Sequence, residues 1–224
     1  MGYNNDNAAR VVFDIETAPL PDAAEFIEPA EAPSNYKDPE KIAAAIAKGN
    51  AEALSRCSLD VDLCQIVAIC WWIEGESEPQ PLCAVGGDGW DESGIIRAFW
   101  AVSNGHHLVG FNCLGFDLPV LLRRSLYLGI QAPRIQIDRF KHPQVTDLMD
   151  ELSYSGKLKL RGLSFYAKRF GIDVPDGLSG SGIAQAVTEG RWEDIAAHVK
   201  ADVQKTAALA ERLGYFRRVE AAVL

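Results

Sequence analysis

An apolar run at residues 65–73, made mostly of isoleucine, valine and tryptophan, is the feature that most constrains the fold of this chain. β-Branched and aromatic residues favour strands, so the run predicts a buried β-strand. A second short run follows at residues 81–85, and Gly75 lies in the turn between them, which predicts a β-hairpin. No apolar run approaches the roughly 20 residues that a membrane-spanning helix needs, so we expect no membrane partner.

The other apolar patterns predict helices around a few strands. Short apolar stretches at residues 10–16 and 107–111 predict two further buried strands. Apolar spacing, capping residues and glycines predict helices at residues 38–56, 91–103, 118–128, 163–170, 183–187 and 193–213. Strands that come early and helices that close the chain indicate an α/β fold, with a mixed sheet flanked by helices.

Four prolines between residues 18 and 39 predict an extended segment on the surface. We therefore expect residues 1–224 to form a single domain, with an arm or insertion at about residues 18–64. The five cysteines form no CxxC pair, which indicates reduced, buried thiols and a cytoplasmic protein. No basic segment followed by an apolar core begins the sequence, so we expect no signal peptide.

The charge is unevenly distributed along the sequence. The net charge is −9, but residues 118–172 carry ten basic and four acidic residues, and the rest of the chain has a balance of −15. Lys157, Lys159 and Arg161 lie in a part of this basic stretch that contains no acid. Such a strip is typical of a solvated surface or of a contact with a nucleic-acid backbone. We take these three residues as candidate phosphate contacts.

Two acids that stand two residues apart end the first predicted strand. Side chains alternate along a strand, so Asp14 and Glu16 point to one face and Ile15 points to the other. Two adjacent carboxylates repel each other unless a cation lies between them. The pair therefore indicates either a metal site or solvated acids at the end of a strand.

Two further patterns place acids on other elements. Asp117 follows the strand at residues 107–111 and begins the next helix, where it either caps that helix or contributes to a site. His198 and Asp202 are four residues apart on the last predicted helix and share one face, as an ordinary surface pair also would. The three patterns together, in this order along the chain, favour one shared site.

The sequence resembles a known family through Phe13-Asp14-Ile15-Glu16-Thr17, Asn112-xxx-Phe116-Asp117 and His198-xxx-Asp202. These segments are similar to the three motifs of the DEDD superfamily of 3′–5′ exonucleases, which have a ribonuclease H-like fold. The closer resemblance is to stand-alone bacterial and phage exonucleases related to the proofreading domain of B-family DNA polymerases, over roughly residues 10–213. Relatives with a four-residue step in the third motif usually carry tyrosine where this sequence has histidine.

The resemblance implies a metal-dependent 3′–5′ exonuclease that hydrolyses phosphodiester bonds of single-stranded DNA. It implies that Asp14, Glu16 and Asp202 hold one Mg²⁺ or Mn²⁺ ion, that Asp14 bridges to a second, and that Asp117 orients the second largely through water. It also implies that His198 positions and deprotonates the nucleophilic water. The expected cofactor is thus a pair of divalent ions.

Three more residues complete the candidate substrate contacts. Thr17 belongs to the first motif, Asn112 either contacts the strand or closes a turn, and Phe116 either stacks on a terminal base or packs in the core. Two alternatives share the expected fold: an RNA-trimming exonuclease, and a nucleic-acid-binding module with weak turnover. The sequence does not indicate an oligomeric state.

Overall fold

A five-stranded mixed sheet forms the centre of the fold in a computed structural model that describes residues 9–84, 91–137 and 143–216. Its strands are β1 (Arg10–Pro19), β2 (Cys64–Ile73), β3 (Gln80–Cys83), β4 (His107–Gly110) and β5 (Val145–Asp147). Their order is β3-β2-β1-β4-β5. β1, β2 and β3 pair antiparallel, whereas β4 and β5 run parallel to β1. The predicted hairpin is confirmed as β2 and β3, although Val85 lies outside the described residues.

Helices cover both faces of this sheet. They are α1 (Pro39–Arg56), α2 (Glu92–Ser103), α3 (Asp117–Tyr127), α4 (Leu148–Ser153), α5 (Leu163–Phe170), α6 (Ile183–Thr188) and α7 (Trp192–Arg212). Each helix that the apolar spacing predicts is present, and its ends differ from the prediction by at most one residue. The expected α/β class, a mixed sheet flanked by helices, is confirmed. Within the described ranges, no helix has the length and hydropathy needed to cross a bilayer.

The central strand β1 separates two apolar cores because its side chains alternate. Val11, Phe13 and Ile15 pack with α2 and α3 on one face of the sheet. Val12 packs with α6 and α7 on the other face. The alternation places Asp14 and Glu16 on the same side as Val12, so both carboxylates face α7 while Ile15 points into the opposite core, as predicted.

Three elements differ from the prediction. β1 continues to Pro19, through a register shift after Glu16, so residues 18 and 19 end the strand instead of beginning the extended segment. β5 and α4 were not predicted. β5 has three residues and α4 has six, which is too few for an apolar period to appear. The strand character of β5 instead comes from its parallel pairing with β4.

The connection between β1 and β2, residues 20–63, lies outside the sheet and contains α1. The side chain of Asp38 accepts a hydrogen bond from the N–H of Glu40, and Pro39 occupies the first turn, so α1 begins where its capping residues predict. No residue of α1 is buried. The Thr17 hydroxyl donates to the carbonyl of Ser58 at 2.6 Å, which ties this connection to β1.

All five cysteines are free thiols, and four of them are buried. Burial raises the pKa of Cys64 to about 12, because the thiolate would lose its hydration. The thiols are therefore protonated and pack as small apolar side chains. The predicted burial is confirmed for four of the cysteines, whereas Cys83 is half-buried.

A buried ion pair joins β2, α2 and α3. The guanidinium of Arg124 donates to both carboxylate oxygens of Glu92, at 2.9 and 2.7 Å. The N–H of Ile66 donates to the same carboxylate at 2.7 Å. Both charged side chains are less than a tenth exposed. Removal of one partner therefore leaves the other charge buried without compensation.

We expect Arg124→Ala to lower the free energy of unfolding by about 3–5 kcal/mol, because it leaves the Glu92 carboxylate unpaired. The adjacent Arg123 provides a matched control, since it pairs with Asp62 and both side chains are about half exposed. Arg123→Ala should change the same free energy by less than about 1 kcal/mol. Urea unfolding measures both, and equal effects of the two variants would contradict the assignment.

Candidate active site

Two carboxylates come from the centre of the sheet. Asp14 pairs with Cys70 and Glu16 with Ala68 across the antiparallel ladder, so both lie on the central strand with their side chains toward α7. Glu16 is 8% exposed, and Asp14 keeps partial access to solvent. Strand alternation in the sequence is sufficient to place this pair.

A third carboxylate, that of Asp117, is brought beside the first two by a tight turn after β4. Asn112 has a left-handed φ of 61°, which redirects the chain at the end of that strand. Asp147 holds the turn, because its carboxylate accepts hydrogen bonds from the N–H groups of Asn112 at 2.9 Å and Leu114 at 3.0 Å. The N–H of Ile15 then donates to Asp117 at 3.3 Å, which ties α3 to β1.

Gly115 lies close to the Asn112 side chain within this turn. A Cβ added at Gly115 would lie 2.5 Å from the side-chain oxygen of Asn112, closer than real Cβ contacts. The N–H groups of Gly115 and Phe116 both donate to the carbonyl of Asn112, at 3.0 Å. The turn is therefore compact. Asp117 follows it in the first turn of α3 and is 5% exposed.

The last helix supplies the remaining members of the predicted site. His198 and Asp202 lie on the face of α7 that packs on β1, and the imidazole Nε2 of His198 is 3.4 Å from a carboxylate oxygen of Glu16. One potential ligand atom from each of Glu16, His198 and Asp202 lies within 4.8 Å of the others. The structure thus brings together residues that are far apart in sequence.

An open cavity of about 290 Å³ gives access to these carboxylates. Asp14, Asp117 and Asp202 line it, together with Phe111, Asn112, Phe116, Met149 and residues 162–163. A second cavity of about 480 Å³ adjoins it at Asn112 and Met149 and continues along Leu160. The carboxylates therefore face a groove on the surface of the protein.

The pKa values of three carboxyl groups of the site are raised, and burial is the largest cause for each of them. Burial raises the pKa of Asp14 well above its ordinary value, and the neighbouring charges of Asp117, Glu16 and Asp202 raise it further. Burial raises the pKa of Glu16 in the same way, and the charges of Asp202 and Asp117 raise it further. Burial raises the pKa of Asp117 to about 7. Such a cluster is stabilised by added positive charge.

Two residues of the site were not predicted. The carboxylate of Asp176 is 2.7 Å from the imidazole Nδ1 of His198. The ammonium of Lys205 donates to Asp176 and, at 2.8 Å, to Asp202. Lys205 stands three residues after Asp202, so helical spacing offers a signal for it. Asp176 lies in an irregular connection between α5 and α6, and no spacing in the sequence relates it to α7.

Lys205 and Asp176 stabilise each other's charged forms. Burial works against the charge of Asp176, but hydrogen bonds from Lys205 and His198 outweigh it and hold the pKa of Asp176 below its usual value. Burial likewise works against the charge of Lys205, and the two carboxylates overcome it and raise the pKa of its ammonium. The positive charge of Lys205 also offsets part of the rise in the pKa of Asp14 and Glu16. Lys205 is thus a positive charge within the acidic site.

The predicted substrate contacts lie in three different environments. Asn112 is exposed and Phe116 is partly exposed, and both line the cavity beside the carboxylates. Thr17 is 7% exposed, and its hydroxyl donates a hydrogen bond to the carbonyl of Ser58. The basic candidates Lys157, Lys159 and Arg161 are exposed on the connection between α4 and α5. That connection ends at the rim of the carboxylate cavity.

Comparison with protein families identifies the relatives of this chain. Residues 58–218, more than half of the sequence, match the family described as "Predicted 3'-5' exonuclease related to the exonuclease domain of PolB". The chain belongs to this family. The span that matches the family contains Asp117, His198 and Asp202, whereas Asp14 and Glu16 precede it. The family membership indicates a nuclease domain.

Comparison with solved structures confirms the fold. The family B DNA polymerase from the hyperthermophilic archaeon Pyrobaculum calidifontis is similar, with a TM-score of 0.61 and 19% sequence identity. The similarity covers 92% of this chain and 24% of the polymerase, so the chain spans about a quarter of that protein's length. The expected ribonuclease H-like fold is thereby confirmed. No curated protein matches the chain.

We expect metal-free protein to become less stable as the pH rises from about 4 to about 7. This interval lies between the ordinary pKa of an aspartate and the raised pKa of Asp117 in the folded protein. A carboxyl group with a raised folded-state pKa contributes stability below its unfolded pKa, and that contribution is lost as the pH rises through the folded value. Asp117→Asn should remove this part of the pH dependence.

Urea unfolding in EDTA at several pH values tests this expectation. Asp22→Asn is the matched control, because Asp22 is exposed and precedes the short helix Ala23–Glu25 without a capping hydrogen bond from its side chain. If Asp117→Asn and Asp22→Asn follow the same pH profile as the unsubstituted protein, Asp117 does not carry the raised pKa.

Proposed function

We propose that this chain is a metal-dependent 3′–5′ exonuclease that hydrolyses phosphodiester bonds of single-stranded DNA or unpaired 3′ ends. The observation that supports it most is the convergence of the carboxylates of Asp14, Asp117 and Asp202 at one open groove, with the buried side chains of Glu16 and His198 beside Asp202. Membership of the exonuclease family supports the same activity. In this proposal the whole chain acts as a single domain, with residues 20–63 as an arm.

The donor set fits hard divalent cations. Carboxylate oxygens are the ligands that Mg²⁺ and Mn²⁺ prefer. Burial and then the neighbouring acids raise the pKa values of Asp14 and Glu16, and a cation would neutralise the charge of these acids. We propose that Asp14, Glu16 and Asp202 hold one ion and that Asp14 and Asp117 hold the second. When bound, two such ions would stabilise the attacking and leaving oxygens of a phosphodiester displacement.

The protein's own residues supply the proton transfer. The Nε2 atom of His198 faces Glu16 and the carboxylates, where it can accept a proton from the attacking water. Imidazole exchanges protons near neutral pH, whereas a tyrosine hydroxyl at this place would orient the water but accept its proton poorly. Histidine with a four-residue step to Asp202 is therefore compatible with the proposed chemistry.

The groove gives the terminal nucleotide a place to bind. Phe116 lies at the cavity wall with its ring partly exposed, as a residue that stacks on a base would. Asn112 exposes its amide beside it, and the exposed Lys157, Lys159 and Arg161 supply positive charge along the connection that leads to the rim. We propose that the backbone of the strand follows this connection. The reduced cysteines fit a cytoplasmic enzyme.

We expect Mg²⁺ or Mn²⁺ to support shortening of labelled single-stranded DNA from its 3′ end, and Asp14→Asn to abolish it. Asp14→Asn removes a charge at the centre of the site while preserving the size of the side chain. Asp22→Asn, which changes an exposed acid outside the sheet, should leave the rate unchanged. His198→Gln should lower the rate about 10²–10⁴-fold, the usual contribution of a general base.

Labels at the 5′ end, RNA substrates and EDTA complete this experiment. Shortening of RNA in preference to DNA would replace the proposed substrate. Binding of either strand without shortening under any metal would overturn the enzymatic proposal and favour a nucleic-acid-binding module. Equal activity of Asp14→Asn and the unsubstituted protein would place the activity outside this site.

We expect combined substitution of Lys157, Lys159 and Arg161 by alanine to weaken DNA binding and to reduce its dependence on salt. Each lost phosphate contact should lower the slope of log affinity against log salt by about 0.7, so three contacts should lower it by about 2. Lys41→Ala with Lys48→Ala on α1 is the control and should leave the slope unchanged. Fluorescence anisotropy with Ca²⁺ measures the slopes, and an unchanged slope for the triple variant would exclude these residues.

A further inference from the structure

We propose that Asp176 is a positioning residue that fixes the His198 ring so that its Nε2 atom, and not its Nδ1 atom, faces the carboxylates. The inference rests on the proposed function, in which His198 accepts the proton of the attacking water. It comes from a hydrogen-bonded set of side chains outside the predicted motifs, formed by Asp176, His198, Lys205 and Asp202.

The His198 ring lies with Nδ1 toward Asp176 and Nε2 toward Glu16. An Asp176 oxygen lies 2.7 Å from Nδ1 of His198, and a Glu16 oxygen lies 3.4 Å from Nε2. The His198 side chain is 6% exposed, so it has little freedom to rotate. The Asp176 side chain is 16% exposed, and it reaches α7 from the connection between α5 and α6. The ring is thus held between two carboxylates on opposite edges.

The chemistry of this contact assigns the proton. An ionised carboxylate has only acceptor oxygens, so the short contact with Asp176 requires that Nδ1 donates. In the neutral ring the other nitrogen then carries the lone pair, and this nitrogen is Nε2, on the side of Glu16. A general base needs a lone pair directed at its proton donor. Asp176 therefore selects the form of His198 that can act as the base.

Lys205 makes this arrangement rigid. Its side chain is 8% exposed, and its ammonium donates both to Asp176 and to Asp202, which is a proposed metal ligand. The same cation thus connects the carboxylate that orients the base with one that would hold a metal. Rotation of Asp176 away from His198 would also break this partly buried ion pair. The proposed base and the proposed metal ligand are held in one frame.

A structural role for Asp176 is the competing explanation, because the residue also anchors its connection to α7. The state of the ring nitrogens distinguishes the two roles. If Asp176 only anchors the connection, its loss should alter stability without determining which nitrogen of His198 carries the proton. If it positions the base, its loss should redistribute the proton between the two nitrogens.

The test uses the full chain labelled with ¹⁵N-histidine, in EDTA and without nucleic acid, at a pH at which the ¹⁵N shifts themselves report a neutral His198 ring. The His198 signals are assigned with His198→Gln. We expect a protonated Nδ1 and an unprotonated Nε2 in the unsubstituted protein, and loss of this preference in Asp176→Ala. Asp173→Ala is the matched control, because it removes a negative charge from the exposed surface of the same connection. It should leave the signals unchanged.

Two results would overturn the proposal. One is a proton on Nε2 of His198 in the unsubstituted protein, and the other is an unchanged pair of signals in Asp176→Ala. If Asp176→Ala does not fold, Asp176→Leu replaces it, because leucine is similar in size to aspartate and cannot accept a hydrogen bond from Nδ1. Unchanged signals in Asp176→Leu would then count against the proposal.

Kinetics provides the second readout. With Mn²⁺ and single-stranded DNA, Asp176→Ala should lower kcat about 10–100-fold and leave KM nearly unchanged, as loss of a group that orients a functional histidine does. In a His198→Gln background the same substitution should cause no further loss, because the two residues act as a unit. An equal loss in both backgrounds would indicate a structural role. Absence of nuclease activity in the unsubstituted protein would refute the proposed function alone, since the ring signals are measured without turnover.

Discussion

Mutual repulsion among the carboxylates of Asp14, Glu16, Asp117 and Asp202 is the interaction on which the arrangement of this site depends. Glu16 and Asp117 are buried and Asp14 is partly buried, and burial together with neighbouring charge raises the pKa values of all three. Lys205 offsets part of the repulsion, but it is a single positive charge among several negative ones. The fold tolerates the remaining repulsion because contacts elsewhere in the structure hold the four acidic residues in place. A bound cation would relieve this repulsion, and the relief would favour binding of the cation.

The fold meets this requirement with contacts that are separate for each carboxylate. The ladder between β1 and β2 fixes Asp14 and Glu16. The turn held by Asp147 and the N–H of Ile15 fixes Asp117. The packing of α7 on the sheet brings in the last acid, and the pair formed by Asp176 and Lys205 fixes its side chain and the neighbouring imidazole. Strands and helices that are far apart in sequence thus hold the carboxylates rigidly, as electrostatic preorganisation of a site requires.

The sequence predicts the parts of this arrangement that local periodicity determines. Strand alternation places Asp14 and Glu16 on one face, and helical spacing places His198 near Asp202. Every described α-helix except the six-residue α4 is predicted to within a residue, because caps and apolar periods are local signals. β5 is missed because it has three residues and depends on its pairing with β4. Asp176 is missed because an irregular connection carries no period, so its contact with His198 arises only when α5, α6 and α7 pack together.

Calorimetric titration of the metal-free protein with Mn²⁺, in two buffers with different ionisation enthalpies, tests the central claim that these carboxylates form a metal site. Binding should release protons, because carboxyl groups with raised pKa values must ionise to coordinate the ion. Glu16→Gln should weaken binding and reduce the release, whereas Glu25→Gln, at an exposed position, should not. Binding to the unsubstituted protein that is no tighter than binding to Glu16→Gln, without proton release, would contradict the account.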